Sequence, residues 1–186
     1  MASGEKIWRG RVLESTHLCR APWLTVRKDT LLLPTGATIP DYYVLEYPEW
    51  VSVLAITLDG LWVMVRQYRH GLGCFSWETP AGVVEESDAD FLAAARRELA
   101  EETGYGGGEW REYMTISANP ATNSNLSHVF LARNVVKVAE PHLDPTEDLE
   151  VVLMEETQVR KLLEENRICQ ALHAAPMWRY FAEKRI

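Results

Sequence analysis

Residues 51–68 constrain the fold of this chain more than any other stretch. Residues 51–57 form a nearly continuous apolar run, Asp59-Gly60 follows, and residues 61–68 answer with a second apolar run. Asp-Gly between two such runs is a strong hairpin signal, because the tight turn that joins antiparallel strands needs residues that tolerate positive φ. The pattern predicts an antiparallel hairpin with about eight residues in each arm.

Other strands are expected on either side of it. Residues 7–20 and 22–33 are rich in β-branched and aromatic side chains, with a break at Pro22. Pro34-Thr35-Gly36 is a turn signal, and residues 37–47 read as a further strand. Gly71 and Gly73 open a loop, and a helix is expected from Ser87-Asp88. There Ser87 and Asp90 resemble a capping box with Asp in place of the usual Glu. That helix runs through FLAAARRELAEE to Thr103-Gly104, where glycine suits a left-handed cap. Gly106-Gly107-Gly108 reads as a mobile loop. Strands are expected near 110–116, 127–138 and 149–154, with a polar loop at 140–148. Two helices, about 157–166 and 169–184, close the chain, with Pro176 a kink or break. The fold class is mixed α/β (α+β), with an antiparallel β region at 1–47 and the main domain at 48–186.

Composition narrows the function classes. The chain has 186 residues, 47% hydrophobic and 25% charged, which are globular values that argue against disorder. A net charge of −8 argues against a nucleic-acid or anionic-membrane surface. It leaves room for a small anionic ligand if a metal ion or a few arginines reverse the sign locally. Three widely spaced cysteines, Cys19, Cys74 and Cys169, fit neither a zinc site nor a disulfide framework, so a reducing cytoplasm is the expected setting. The first ten residues hold no signal-peptide core, and no apolar run approaches a membrane span.

The informative helix is the one before Gly104. On a helical wheel Phe91, Ala95, Leu99 and Leu92 share one face, which should pack on the sheet. Glu98 and Glu102 fall at the edge of that face, about 20° to either side of Phe91, and Glu101 lies further round. Half-buried carboxylates one turn apart repel each other and are costly without a partner. Hard cations such as Mg²⁺ or Mn²⁺ take oxygen ligands at this spacing. The alternative is a solvated acidic face balanced by Arg96 and Arg97.

Arg97-Glu98-Leu99-Ala100-Glu101-Glu102-Thr103-Gly104-Tyr105 resembles the second half of the Nudix box, R-E-U-x-E-E-x-G-U, at every fixed position. Gly82, within Pro80-Ala81-Gly82, resembles its opening glycine. The family pattern puts a glutamate six residues after that glycine and the arginine eight residues later. Here counting forward reaches Asp88 and counting back from Arg97 reaches Ala89, so the loop carries one extra residue. Asp88, Glu86 or Asp90 is the candidate substitute. Residues 22–36, 41–60, 66–69 and 77–82 resemble the ADP-ribose pyrophosphatase-like subgroup. The resemblance implies a Nudix fold, an α/β/α sandwich with a mixed β-sheet. It further implies cleavage of a nucleoside diphosphate linked to another moiety, such as ADP-ribose or a nucleotide sugar. A homodimer is implied as well, its N-terminal strands helping to form the partner's site.

On this resemblance Glu98, Glu101 and Glu102 hold Mg²⁺ or Mn²⁺, joined by the Ala81 carbonyl, and Arg97 orients the box carboxylates. Gly82 and Gly104 are structural. A general base is expected from the acidic loop HLDPTEDLE, with Glu147 first and Asp144 and Asp148 after it; a merely solvated loop is the alternative. Arg69 offers bidentate donors to a phosphate, or else a surface ion pair. Trp23, Tyr42 and Tyr43 either stack a nucleobase or pack an interface. Glu78 anchors the loop before the box or contacts substrate. Asn119-Pro120 matches a proline of ADP-ribose-specific members, but Ser124 and Asn125 replace the acidic pair, which keeps other nucleotide sugars open. His128 reads as a packed or hydrogen-bonded strand residue. A non-catalytic Nudix-fold nucleotide sensor is the competing class; three clustered carboxylates favour the enzyme.

Overall fold

The computed structural model describes residues 8–143 and 145–184. The chain divides into two compact units, residues 1–47 with 119–125, and residues 48–118 with 126–186.

The first unit is an antiparallel sheet of β1 (Arg11–Ala21), β2 (Leu24–Leu32) and β3 (Thr38–Glu46), in that order. Pro22-Trp23 makes the first turn. Gly36, at φ +88°, closes the second by donating its N–H to the Leu33 carbonyl at 3.0 Å. Ile7, where the first strand was expected to begin, lies outside the described residues. Asp29 is buried on β2 and accepts from Ser15 Oγ at 2.7 Å and Arg27 Nε at 2.9 Å, which offsets its desolvation. Residues 119–125 join this sheet at β3. The Leu45 N–H donates to the Thr122 carbonyl at 2.7 Å, and the Tyr42 hydroxyl donates to the Ala121 carbonyl at 2.5 Å. β1 is exposed along its whole length and carries Val12, Leu13 and Leu18.

The second unit is built on an eight-stranded mixed sheet. Its elements are β4 (Trp50–Thr57), β5 (Trp62–Arg69), β6 (Cys74–Glu78), β7 (Ala81–Val83), α1 (Phe91–Thr103), β8 (Tyr105–Gly106), β9 (Glu109–Ile116), β10 (Ser127–Lys137), β11 (Leu149–Met154), α2 (Glu156–Glu164) and α3 (Ala171–Glu183). The backbone of the sheet runs β11-β5-β4-β10-β8, with β4 and β10 parallel. The alternation of β4 explains its unbroken apolar run. Val51, Val53 and Ala55 point to a core with Ala94, Ala95 and Leu99 of α1. Leu54 and Ile56 point to the opposite core, with Val159 and Leu163 of α2 and Met177, Tyr180 and Phe181 of α3. A strand covered by helices on both faces has no polar side to show. The result is an α/β/α sandwich. Among the described residues no helix is long and apolar enough to cross a membrane.

Four local expectations need correction. The hairpin turn forms at 57–61, but β4 and β5 pair only at Ile56↔Trp62 and then fork. Above the fork β5 pairs with β6, and β4 pairs with β7, so the segment leading to Gly82 sits where a regular hairpin would have continued. α1 begins at Phe91 rather than near Ser87, because Asp90 is its cap and accepts from the Ala93 N–H at 2.7 Å. Gly106 is not in a loop; it pairs with Val136 as part of β8. Pro176 does not break α3, which runs through it. Leu172 before it and Met177, Tyr180 and Phe181 after it are all buried, so packing outweighs the lost backbone hydrogen bond.

Candidate active site

α1 brings the carboxylates together. Glu98 and Glu102 are buried and Glu101 is half-buried, in the order the wheel predicts. The helix ends at Gly104 in the left-handed region at φ 69°, with its N–H on the Ala100 carbonyl at 2.8 Å. Its neighbour on the sheet side is the short strand β7. Gly82 there needs to be glycine for room rather than for φ. A Cβ on it would stand 2.2 Å from Glu98 Cδ, so the carboxylate lies directly against the backbone. The Ala81 N–H donates to Glu102 Oε2 at 3.0 Å.

Arg97 organises the rest. Its Nη1 donates to Glu98 Oε1 at 2.9 Å and to Glu101 Oε2 at 3.0 Å, and its Nη2 donates to the Val83 carbonyl at 2.9 Å. Its outer edge meets Asp88 in a two-point contact, Nε to Oδ1 at 3.1 Å and Nη2 to Oδ2 at 2.9 Å. Of the three candidate substitutes for the displaced box glutamate, Asp88 therefore reaches the arginine. Asp90 caps α1, and Glu86 is exposed. Ala89, between Asp88 and the cap, is exposed.

The electrostatics are unbalanced toward negative charge. Burial pushes the Glu98 carboxyl up, and Glu101 and Glu147 add to this against the opposing pull of Arg97. Burial pushes Glu102 well above the ordinary carboxylate range, reinforced by Glu98 and Glu147 and only partly opposed by the Ala81 N–H and Arg69. Arg97 holds Asp88 below its usual value. Glu147 is thus close enough for its charge to act on both helix carboxylates. The loop that carries it is tied to the end of α1: His142 N–H donates to the Glu101 carbonyl at 2.7 Å, and Val138 N–H to the Gly104 carbonyl at 2.8 Å. Asp148 is exposed, and Asp144 lies outside the described residues.

Arg69, at the end of β5, turns its Nε to Glu78 Oε1 at 2.9 Å and its Nη2 to Oε2 of the same carboxylate. Glu78 is 1% exposed and also meets His173 Nε2 at 3.2 Å, so it stands behind the arginine instead of facing solvent. Burial works to raise Glu78, but the hydrogen bonds from Arg69 and His173 outweigh it and hold the carboxyl far below its ordinary range. A cleft of about 330 Å³ opens beside it, bounded by Arg69, Leu72, Ser76, Cys169 and Gln170. Sequence reasoning had no signal for His173 and its partner Thr79, which lie 94 residues apart. His128 lies on β10, stacked on Phe91 at 3.7 Å between ring centroids and 2.8 Å from Glu49 Oε2. Trp23, Tyr42 and Tyr43 all belong to the first unit; Trp23 and Tyr43 are exposed there.

Oxygen donors that are buried and mutually repelling suit a hard divalent cation. Glu98 and Glu101 are turned toward Arg97 and Glu102 toward the Ala81 N–H. Among the described residues no three acidic, histidine or cysteine side chains already converge in metal-holding geometry.

Comparison with known proteins agrees with this arrangement. Residues 48–173 match the NUDIX domain, and residues 11–45 match the nucleoside diphosphate sugar hydrolase N-terminal domain. The chain is 33% identical over 129 residues to the ADP-ribose pyrophosphatase of Bacillus subtilis, covering 69% of each protein. It is 29% identical over 164 residues to the methanol dehydrogenase activator of Bacillus methanolicus, covering 88% of each. A solved structure described as an ADP compounds hydrolase superposes with a TM-score of 0.82 at 20% identity, over 97% of this chain and 98% of that one. With its box on α1 and its family match across the sandwich, this chain belongs to the Nudix hydrolase family.

Proposed function

We propose that this protein hydrolyses the pyrophosphate bond of a nucleoside diphosphate joined to another moiety, with ADP-ribose or a nucleotide sugar as substrate and Mg²⁺ or Mn²⁺ as cofactor. The observation that carries this reading is the pair Glu98 and Glu102, buried one helical turn apart and pressed further by the charge of Glu147. A binding module has no need of such a costly group of carboxylates. The relatives named for ADP-ribose cleavage support the substrate class.

Glu98, Glu101 and Glu102 would hold the cation, with the Ala81 carbonyl as a further oxygen. Bound there, it would activate water and neutralise charge on the phosphate oxygens. Arg97 orients Glu98 and Glu101 while Asp88 holds Arg97 from behind. Arg69 grips a substrate phosphate, its guanidinium aimed by Glu78. Glu147 accepts the proton of the attacking water or adds a ligand oxygen. Residues 1–47 form an N-terminal domain that pairs with a second copy and supplies Trp23 and Tyr43 to the nucleotide, and 48–186 form the hydrolase domain. The exposed apolar side chains of β1 support the pairing. Three free thiols accord with a cytoplasmic setting.

The test is turnover of ADP-ribose, GDP-mannose and other nucleoside diphosphate sugars with and without Mg²⁺ or Mn²⁺, beside Glu102→Gln. Metal-dependent cleavage that falls at least about a hundredfold in the variant is the expected outcome. Absence of turnover on the whole panel, with metal-independent nucleotide binding, would leave a sensor in place of an enzyme.

A further inference from the structure

The buried side chains behind Arg69 form a chain that ends on the C-terminal helix. Glu78 Oε1 receives Arg69 Nε, and Glu78 Oε2 receives Arg69 Nη2 and lies 3.2 Å from His173 Nε2. The other ring nitrogen of His173, Nδ1, lies 2.8 Å from Thr79 Oγ1. A carboxylate only accepts, so Nε2 carries its hydrogen toward Glu78, and Nδ1 shares the second hydrogen bond with the Thr79 hydroxyl. Glu78, Thr79 and His173 are all at most 3% exposed. The side-chain polar atoms of Glu78, Thr79 and His173 thereby all have partners, as burial requires.

Arginine is long and loses much rotamer freedom when it is fixed. The Arg69 side chain is 42% exposed, so packing does not fix it; the two-point contact with Glu78 does. That contact is only as rigid as the Glu78 carboxylate, whose last torsion is soft. His173 supplies the contact that stops this rotation. It stands on α3, whose Met177, Tyr180 and Phe181 are locked in the core beside Trp62. Gln170, immediately before this helix, lies on the rim of the cleft that Arg69 borders.

We infer that His173 is a positioning residue: through Glu78 it fixes the guanidinium of Arg69 at the cleft, so that the C-terminal helix sets where the substrate phosphate is gripped. The effect on substrate rests on the reading of Arg69 as the phosphate contact; the effect on the arginine does not.

Two variants separate the two ring nitrogens. His173→Gln keeps a donor at the Nε2 position, facing Glu78. His173→Asn keeps a polar group only at the Nδ1 position, facing Thr79. Two quantities are read on the intact protein: the Arg69 Nε–H resonance by ¹⁵N NMR, assigned by its loss in Arg69→Lys, and KM and kcat for ADP-ribose with Mg²⁺. In His173→Asn the resonance moves and broadens, and KM rises about tenfold while kcat stays within about twofold; in His173→Gln KM stays near wild type and the resonance shifts no more than loss of the Thr79 hydrogen bond alone shifts it. If Asn and Gln leave the resonance alike, His173 does not position Arg69 and the inference is overturned. If Asn disturbs the resonance and KM holds in both Asn and Arg69→Lys, the positioning stands and the phosphate role of Arg69 falls. Thr79→Val removes the far hydrogen bond without altering the histidine, and serves if His173→Asn does not fold. It should shift the same resonance in smaller measure, and no shift at all would also overturn the inference.

Discussion

Gly82 is the residue on which the site depends most directly. It carries no left-handed conformation; what it provides is the absence of a methyl group where Glu98 lies. In Gly82→Ala the new Cβ would meet that carboxylate at 2.2 Å and push it off its place on α1. A displacement of this size should lower kcat/KM about a hundredfold. The melting temperature should stay within a few degrees, because β7 is short and half-buried. A variant with full activity would show that Glu98 needs no such contact. Glu78 gives a second residue-level expectation. Its folded carboxyl lies below its unfolded value, so the stability it contributes is fully present above about pH 4 and is lost as pH falls through the folded value. Thermal melts of wild type should therefore fall steeply below about pH 4. Glu78→Gln should be less stable near neutrality and flatter across that acid range. Equal slopes for the two proteins would remove Glu78 from the acid transition.

At the scale of elements, α1 shows what the sequence could and could not give. The inner face at Ala95 and Leu99, the inward carboxylates and the glycine end were legible, because a helix is a local object whose side chains repeat at a fixed angle; Phe91, expected on that inner face, is exposed and stacks on His128. Its start was not. Ser87 and Asp90 are both good caps, and the choice fell to Asp90 because Asp88 is engaged by Arg97 nine residues on. The β4–β5 hairpin shows the same limit. Asp59-Gly60 fixes the turn, but the fork above Ile56↔Trp62 is decided by β6 and β7, which compete for the same ladder from further along the chain. His173 was invisible for a like reason, since nothing local links it to Glu78 or Thr79. The C-terminal end of α1 offers a direct test. Gly104 has φ 69°, and a Cβ there would meet the Ala139 carbonyl at 2.2 Å. Gly104→Ala should cost more than about 1–2 kcal/mol in urea unfolding, because steric overlap adds to the left-handed penalty. It should also loosen residues 138–142 and so reduce turnover through Glu147. An unchanged midpoint would mean that the helix end and the loop rearrange together at little cost.

For the molecule as a whole, the prominent feature is a first unit with an eleven-residue edge strand left entirely exposed. Long exposed edges invite pairing with another chain, and this one carries Val12, Leu13 and Leu18. The expected assembly is a dimer by light scattering. Leu13→Lys with Leu18→Lys should give the mass of a single chain with unchanged far-UV circular dichroism. A wild-type monomer would assign those side chains another purpose. Arg97 and Arg69 are each paired with buried or half-buried acids, so the site keeps the acidic sign of the whole chain, whose net charge is −8.

The turn at 85–90 has a consequence for how such chains are recognised. Asp88 and Asp90 are each fixed by what they bind, Arg97 in one case and the Ala93 N–H in the other; Ala89 between them is exposed. The two acids pin this stretch on either side of Ala89, and the count from Gly82 to Arg97 is one residue longer than the pattern. A motif written as a rigid count from glycine to arginine would discard this sequence. One written with a single elastic position just ahead of the helix cap would retain it, and would retain others that keep an acid within reach of the arginine.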